Sequence, residues 1–379
     1  MTSPQSKPHW FAIPLLLLAF VLVASSSSAL PTMIRLGYNN CAACHVSPQG
    51  GGLLTPYGKG VDTAQSLFRE EVETAQPQLR LLYDVRAVMG ATLLSSQQGS
   101  NPVAGSSLRF MLRNAVNMSS HTQFSYQVGL AAAMTGNTPT TQTTRSVDVL
   151  ISKAIFEYRP KEGLALQIGR DTLPDGIGLP DPRAFMQKQH DPFGTNFPIQ
   201  AKAFVWTPKF ELTPYVYGPG FDETRHVARQ RGGGVVGGVD VWKQRAVIGM
   251  TARTAYSPSF DRKSIGAYAR LGFHKWGILE EHDVTARVVN GPLPSPADYV
   301  TGYTQVFVAP VEWFVTSLIV DDVVASGSVG KHTYRFAPTA AMRFSNNVTV
   351  VVGTRDDVIP GLAPNSRTYS VSVALKSVQ

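Results

Sequence analysis

The sequence predicts an all-β fold: an antiparallel transmembrane barrel of sixteen strands (14 to 18 would fit), preceded by a short N-terminal segment of a different kind. Three observations carry this reading. From Leu79 onward, apolar and polar residues alternate with a period of two. The alternating stretches are about ten residues long, the length a tilted membrane-crossing strand requires. The connections between them alternate long and short, as in barrels with short turns at one rim and longer loops at the other. Composition agrees: of 379 residues only 16% are charged, 33 are Gly, and hydrophobic residues reach 43% with no long apolar run beyond the N-terminus.

Residues 1–29 read as a signal peptide. Lys7 precedes an apolar stretch from Trp10 to Val23, and Ser27-Ser28-Ala29 supplies the small-x-small pattern read before cleavage. The stretch is about 14 residues, short of the roughly 20 that a spanning helix requires. Removing it takes away one positive charge and no negative one, so the formal charge falls from +8 to +7. The charges are spread along the chain and no nucleic-acid motif is present, so the basic balance points to no nucleic-acid partner.

The next segment, 30–77, carries the only two cysteines. Cys41-Ala42-Ala43-Cys44-His45 has the Cys-x-x-Cys-His spacing in which two thiols add to the vinyl groups of one haem c and the following imidazole ligates its iron. A thioredoxin-like pair would want a βαβ context, and a zinc site would need four ligands. Cys41 and Cys44 are therefore the expected thioether positions and His45 the proximal ligand. The sixth ligand is open among Met111, His121, His274 and Met33. Fewer than fifty residues, with turns expected at Gly50-Gly51-Gly52 and Thr55-Pro56-Tyr57-Gly58, cannot build a core alone, so the haem requires cover from elsewhere. A helix is expected over about 62–75, opened by Asp62 with Gln65 three residues on and an apolar stripe of Ala64, Leu67, Phe68 and Val72.

The barrel is expected over 78–379. Leu108, Phe110, Leu112 and Val116 alternate with Arg109, Met111, Arg113 and Ala115; Ile265, Ala267, Ala269, Leu271 and Phe273 alternate with Gly266, Tyr268, Arg270, Gly272 and His274. Long connections are expected near 95–105, 136–146, 171–199, 219–232, 256–263, 290–298, 321–330 and 359–367. Short turns are expected near 119–120, 160–162, 208–209, 243–244, 275–277, 309–310 and 346–347. Both chain ends then lie at the short-turn rim. The connection from Asp171 to Phe197 is long enough to fold into the lumen or to lie on the surface.

With these residues in view, the chain resembles the fused monohaem cytochrome–porin proteins of outer membranes, which include iron oxidases. The likeness rests on Cys41–His45 followed by Leu54-Thr55-Pro56-Tyr57-Gly58-Lys59, and on the order of signal peptide, haem motif and barrel. It implies location in a bacterial outer membrane, with the haem segment periplasmic or inside the barrel. It further implies electron transfer between an extracellular donor, ferrous iron among the candidates, and a periplasmic cytochrome or copper carrier, with outer-membrane lipid around the wall. Whether this amounts to an oxidoreductase activity is open in the sequence. The alternative is a porin or solute channel in which the haem is structural or sensory; a lumen lined by Arg109, Arg113 and Arg270 would favour it, and a lumen filled by the haem segment and the long loop would favour electron transfer.

Overall fold

A computed structural model describes residues 31–38, 41–49, 54–68, 82–94, 103–137, 143–174, 176–177, 197–219, 230–258, 260–290, 295–296, 298–325, 332–345, 347–358 and 366–376. The expected signal peptide and most of the loop after Ile177 lie outside them.

Alternation of apolar and polar residues yields strands here because each wall residue faces either outward or into the lumen. The first half of the wall is β1 (Leu82–Leu94), β2 (Val103–Asn117), β3 (Thr122–Asn137), β4 (Thr143–Lys161), β5 (Leu164–Arg170), β6 (Ile199–Trp206), β7 (Phe210–Gly218) and β8 (Arg231–Asp240). The second half is β9 (Ala246–Tyr256), β10 (Phe260–Phe273), β11 (Trp276–Val289), β12 (Ser295–Pro296), β13 (Tyr299–Val311), β14 (Phe314–Ala325), β15 (His332–Arg343), β16 (Val348–Val358) and β17 (Ser366–Lys376). The two-residue β12 only caps β11; the other sixteen each pair antiparallel with their neighbours, and β1 pairs with β17 from Asp84↔Lys376 to Leu94↔Ser366. The sheet is thus closed, which leaves no open edge.

The expected phase holds. In β2, Leu108, Phe110 and Val116 are exposed on the outside while Met111 and Arg113 are buried inside. In β10, Ile265 faces out and Gly266, Tyr268 and Arg270 face in. The outer face is an apolar band: Val147 is 70% exposed, Val149 71%, Val216 61% and Met250 59%, a surface soluble monomers rarely present. Near the short turns, Trp242, Phe273 and Trp276 stack at this face, with the Phe273 and Trp276 ring centroids 4.4 Å apart, matching the aromatic girdle of membrane barrels.

Several boundaries differ from expectation. The connection placed at 321–330 begins only after Ala325, since Asp321–Ala325 belong to β14, and the turns placed at 160–162 and 275–277 fall at 162–163 and 274–275. The turn placed at Ala309-Pro310 falls at 312–313, since both residues belong to β13; Pro310 sits near the end of its strand, where a missing N–H is tolerated. The connection placed at 256–263 is cut to 257–259, because Ser257 closes a tight turn with Phe260, donating from its hydroxyl to the Phe260 carbonyl (2.9 Å) and accepting from the Phe260 N–H (3.0 Å). The N-terminal helix, expected from Asp62, is α1 (Pro56–Ala64), and 69–75 lie outside the described residues. Thr55 caps it, its hydroxyl accepting from the Gly58 N–H at 3.0 Å, with Pro56 at the first helical position. The stretch expected to turn is the start of the helix.

An apolar core lies inside the wall. Tyr215, Tyr217, Val236, Val247, Tyr268, Leu279, Tyr303 and Phe307 point inward and pack with Ile34 from the N-terminal segment and Ile177 from the long loop.

Candidate functional site

Pro31–Leu36 and Cys41–Ala43 form short 3-10 turns, and the second winds the haem motif into one helical turn. The N–H groups of Cys44 and His45 both donate to the Cys41 carbonyl, at 3.2 and 2.9 Å. Cys41 and Cys44 are not joined by a disulfide, and burial pushes the Cys44 thiol up, as does the nearby Asp62 carboxylate. His45 is buried and forms a bridge with Leu54.

The stretch that carries the family resemblance packs on the haem motif itself. Thr55 donates its N–H to the Cys44 carbonyl at 2.9 Å, and α1 approaches so closely that a Cβ on Gly58 would sit 2.0 Å from the Cys44 carbonyl oxygen. Only glycine fits that approach. Tyr57, on α1, meets Tyr38 hydroxyl to hydroxyl at 2.5 Å, with the rings edge to face. This bond, with burial behind it, pushes the Tyr38 pKa up to about 12.

The segment is docked across the short-turn mouth of the barrel. On one side, Arg159 of β4 donates to the Val46 carbonyl, Gln167 of β5 donates to the Ser47 hydroxyl at 3.2 Å, and Lys202 of β6 donates to the Gln49 side chain. Beside Val46 and Ser47 lies a cleft whose wall includes Arg113, Gln127, Lys153 and Glu157. Opposite, Arg35 donates to the His274 carbonyl at 2.8 Å while the His274 N–H donates to the Arg35 carbonyl at 2.8 Å. At a third point the N–H groups of Leu67 and Phe68 donate to the Arg343 and Phe344 carbonyls, at 2.9 and 2.7 Å, and Arg343 pairs with Asp62 at 2.6 Å.

From the other side the described start of the long loop, as far as Ile177, enters the lumen. Glu281 of β11, wholly buried, accepts the N–H groups of Gly176 and Ile177 at 3.3 and 2.9 Å. At the loop's base Asp171 meets Lys202 at 2.9 Å and Lys153 at 3.5 Å. The Gln49 side chain donates to both oxygens of Thr172, each at 3.1 Å. The N-terminal segment and the loop therefore touch inside the barrel.

The four sixth-ligand candidates have different fates. Met33 is half-buried in the first 3-10 turn. Met111 is buried against β3, where Gly129 stands opposite it. His274 occupies a left-handed turn position, φ 54°, beside Arg35. His121 is exposed, its Nδ1 2.9 Å from the Arg159 carbonyl; Arg159 in turn holds Val46, the residue after His45. His121 is thus linked through Arg159 to Val46, the residue after the motif. Among the described residues no group of three or more His, Cys, Asp or Glu side chains gathers as a metal site. Arg159 and Glu281 were not singled out in the sequence, and Gly58 was read there as part of a turn, whereas it lies in α1.

The motif fits a covalently held haem by the chemistry of its donors. Two cysteines without a disulfide share one turn, and a buried imidazole follows at once.

No protein-family model matches the sequence, and no curated protein matches it either. Solved structures do match the fold. The anion-selective porin from Comamonas acidovorans is 9% identical, with a TM-score of 0.55 over 78% of this chain and 98% of that one. Pseudomonas putida OprB at high pH is 10% identical, TM-score 0.55, over 78% and 94%. A loop-deletion mutant of Vibrio cholerae OmpT, an outer membrane protein, is 9% identical, TM-score 0.54, over 78% and 98%. The chain has the fold of outer-membrane porins.

Proposed function

We propose that the chain is an outer-membrane barrel with a plugged short-turn mouth. It carries one haem c through Cys41, Cys44 and His45 and passes electrons between an extracellular donor and a periplasmic cytochrome or copper carrier. The observation that carries this reading is the docking of residues 31–38, 41–49 and 54–68: strands β4, β5, β6 and β15 and the turn after β10 all hold these residues at the mouth. When bound, the haem supplies a reversible one-electron centre whose potential follows from ligation, burial and hydrogen bonding. The chain's own residues do the rest. The helical turn presents both thiols and the imidazole together, Gly58 lets α1 close over the motif, and Arg159 and Gln167 anchor Val46 and Ser47 to the wall. Ferrous iron enters as a donor through the family resemblance alone.

The second reading is a solute channel with a structural or sensory haem. The likeness to porins favours it taken by itself, since that fold commonly surrounds a water-filled lumen.

Visible spectroscopy and transport assays separate the two. The detergent-purified protein is expected to retain a c-type spectrum after denaturation, and proteoliposomes enclosing an electron acceptor are expected to reduce it from an external donor without leaking small solutes. Replacing both cysteines with alanine should abolish the covalent spectrum and lower acceptor reduction at least tenfold. No covalent haem in liposomes that leak solutes would leave the channel reading.

A further inference from the structure

On β11 to β15 the outward apolar face is interrupted by titratable groups. Glu280 and His282 of β11 share the outward phase of Trp276 and Val284. Their side chains pair at 3.0 Å and are 48% and 53% exposed. They lie four and six residues beyond Trp276 of the aromatic girdle. At about 3.3 Å per residue and a tilt of about 45°, that is roughly 9 and 14 Å into an apolar band of about 25 Å. The pair stands well inside the band.

The polar groups continue across the neighbouring strands. His282 stands directly opposite Gly302 of β13, and Gly302 opposite Asp322 of β14. A Cβ on Gly302 would collide with both Asp322 Oδ1 and His282 Nδ1, so these two side chains lean over one glycine. His332 of β15 reaches Asp322, Nε2 to Oδ2 at 2.9 Å, and the Tyr334 hydroxyl lies 2.6 Å from His332 Nδ1. A belt of two acids, two imidazoles and a phenol therefore crosses the outer face. Small residues border it: Ala269 and Ala267 of β10 stand opposite Glu280 and His282, and Thr304 of β13 opposite Glu280 on the other side. Exposed Val284, Val306 and Leu318 surround the belt with apolar wall. Ionisable side chains facing hydrocarbon are costly, most of all at depth. Pairing with each other offsets part of that cost, yet about half of the Glu280 and His282 side-chain surface stays open. Cover by protein would remove it from lipid.

We propose that the outward face of β11 to β15 is a contact between two copies of this chain. The belt is complementary to itself, with one acid and one imidazole on β11 and one of each on β14 and β15. A two-fold axis along the membrane normal, passing beside Gly302, sets β11 of one copy against β14 and β15 of the other. Glu280 and His282 then meet His332 and Asp322 of the second copy, acid to imidazole both ways, in an interface that uses the same patch twice. Ala267, Ala269, Gly302 and Thr304 let the two walls approach closely. The contact involves only the outer face and stands whichever reading of the Cys41–His45 segment holds.

Light scattering on the full chain in mild detergent, with cross-linking in intact outer membranes, tests it. A dimer mass is expected. Glu280→Leu combined with His282→Leu should weaken association at least about tenfold, as loss of charged hydrogen-bonding partners does, while Val216→Thr, on the outward face of β7, should change it less than twofold. Thr304→Cys is expected to give a dimer-sized product with a short bis-maleimide, above the level of the unsubstituted chain, and Val216→Cys is not. That second comparison serves if the double variant does not fold. A monomer mass at every concentration, or cross-linking at Thr304→Cys no greater than at Val216→Cys, would overturn the interface and leave the belt facing lipid.

Discussion

The two ends of the lumen are built on the same period-two wall yet finish differently. At the short-turn end, inward groups are consumed by chain: Arg159 and Gln167 bind the segment after His45, and Arg343 binds Asp62. At the long-loop end, Arg262 and Arg287 stand opposite each other on β10 and β11. Midway, Glu281 and the Asp171–Lys202 pair hold the loop between the two regions. The lesson is that a barrel interior acquires its character from what enters it, since wall residues of similar type serve as docking posts in one half and face one another in the other.

Breaking the middle should have the largest effect. The Lys202 side chain is 0% exposed and Asp171 nearly so, and removing one partner of a buried pair leaves the other charge uncompensated. Asp171→Asn is therefore expected to lower unfolding stability by about 3–5 kcal/mol, read from denaturant midpoints in detergent; an unchanged midpoint would mean that Gln49 and water satisfy Lys202 without Asp171.

Glu281→Gln comes next. It replaces a carboxylate that accepts two loop N–H groups by an amide, and about 1.5–3 kcal/mol of loop docking should go with it. Faster hydrogen exchange at Ile177, with the barrel's own strands unaltered, is the expected signature; unchanged exchange would mean that Ile177 packing alone holds the loop.

The smallest effect is expected at the segment's outer anchor. The Arg343–Asp62 pair is partly exposed, 15% and 18% at its side chains, so Asp62→Asn should cost only about 0.2–1 kcal/mol. It should raise exchange at Leu67 and Phe68 and leave Val46 and Ser47 protected. Equal loosening at both sites would show that the segment docks as one unit.

Much of the fold was legible because outward and inward faces demand opposite chemistry. Leu108 and Phe110 against Met111 and Arg113, or Ile265 against Tyr268 and Arg270, state their phase without help from distant residues. The helix start was misread because Thr55-Pro56 carries turn and N-cap signals alike, and only the approach of Gly58 to Cys44 selects the cap. The haem motif was legible as a spacing, whereas its anchors Arg159, Gln167 and Lys202 lie more than a hundred residues away and look like ordinary alternating polar positions.

The sequence by itself determined the all-β character, a strand count within 14 to 18, the direction in which Met111 and Arg113 point and the joint presence of two cysteines and a histidine, since these follow from local periodicity and spacing. The tertiary structure decided that the loop after Asp171 folds inward onto Glu281, that the N-terminal segment sits in the short-turn mouth, and that His282 and Asp322 meet over Gly302. Those depend on strand register and closure, which bring together residues that no local pattern connects.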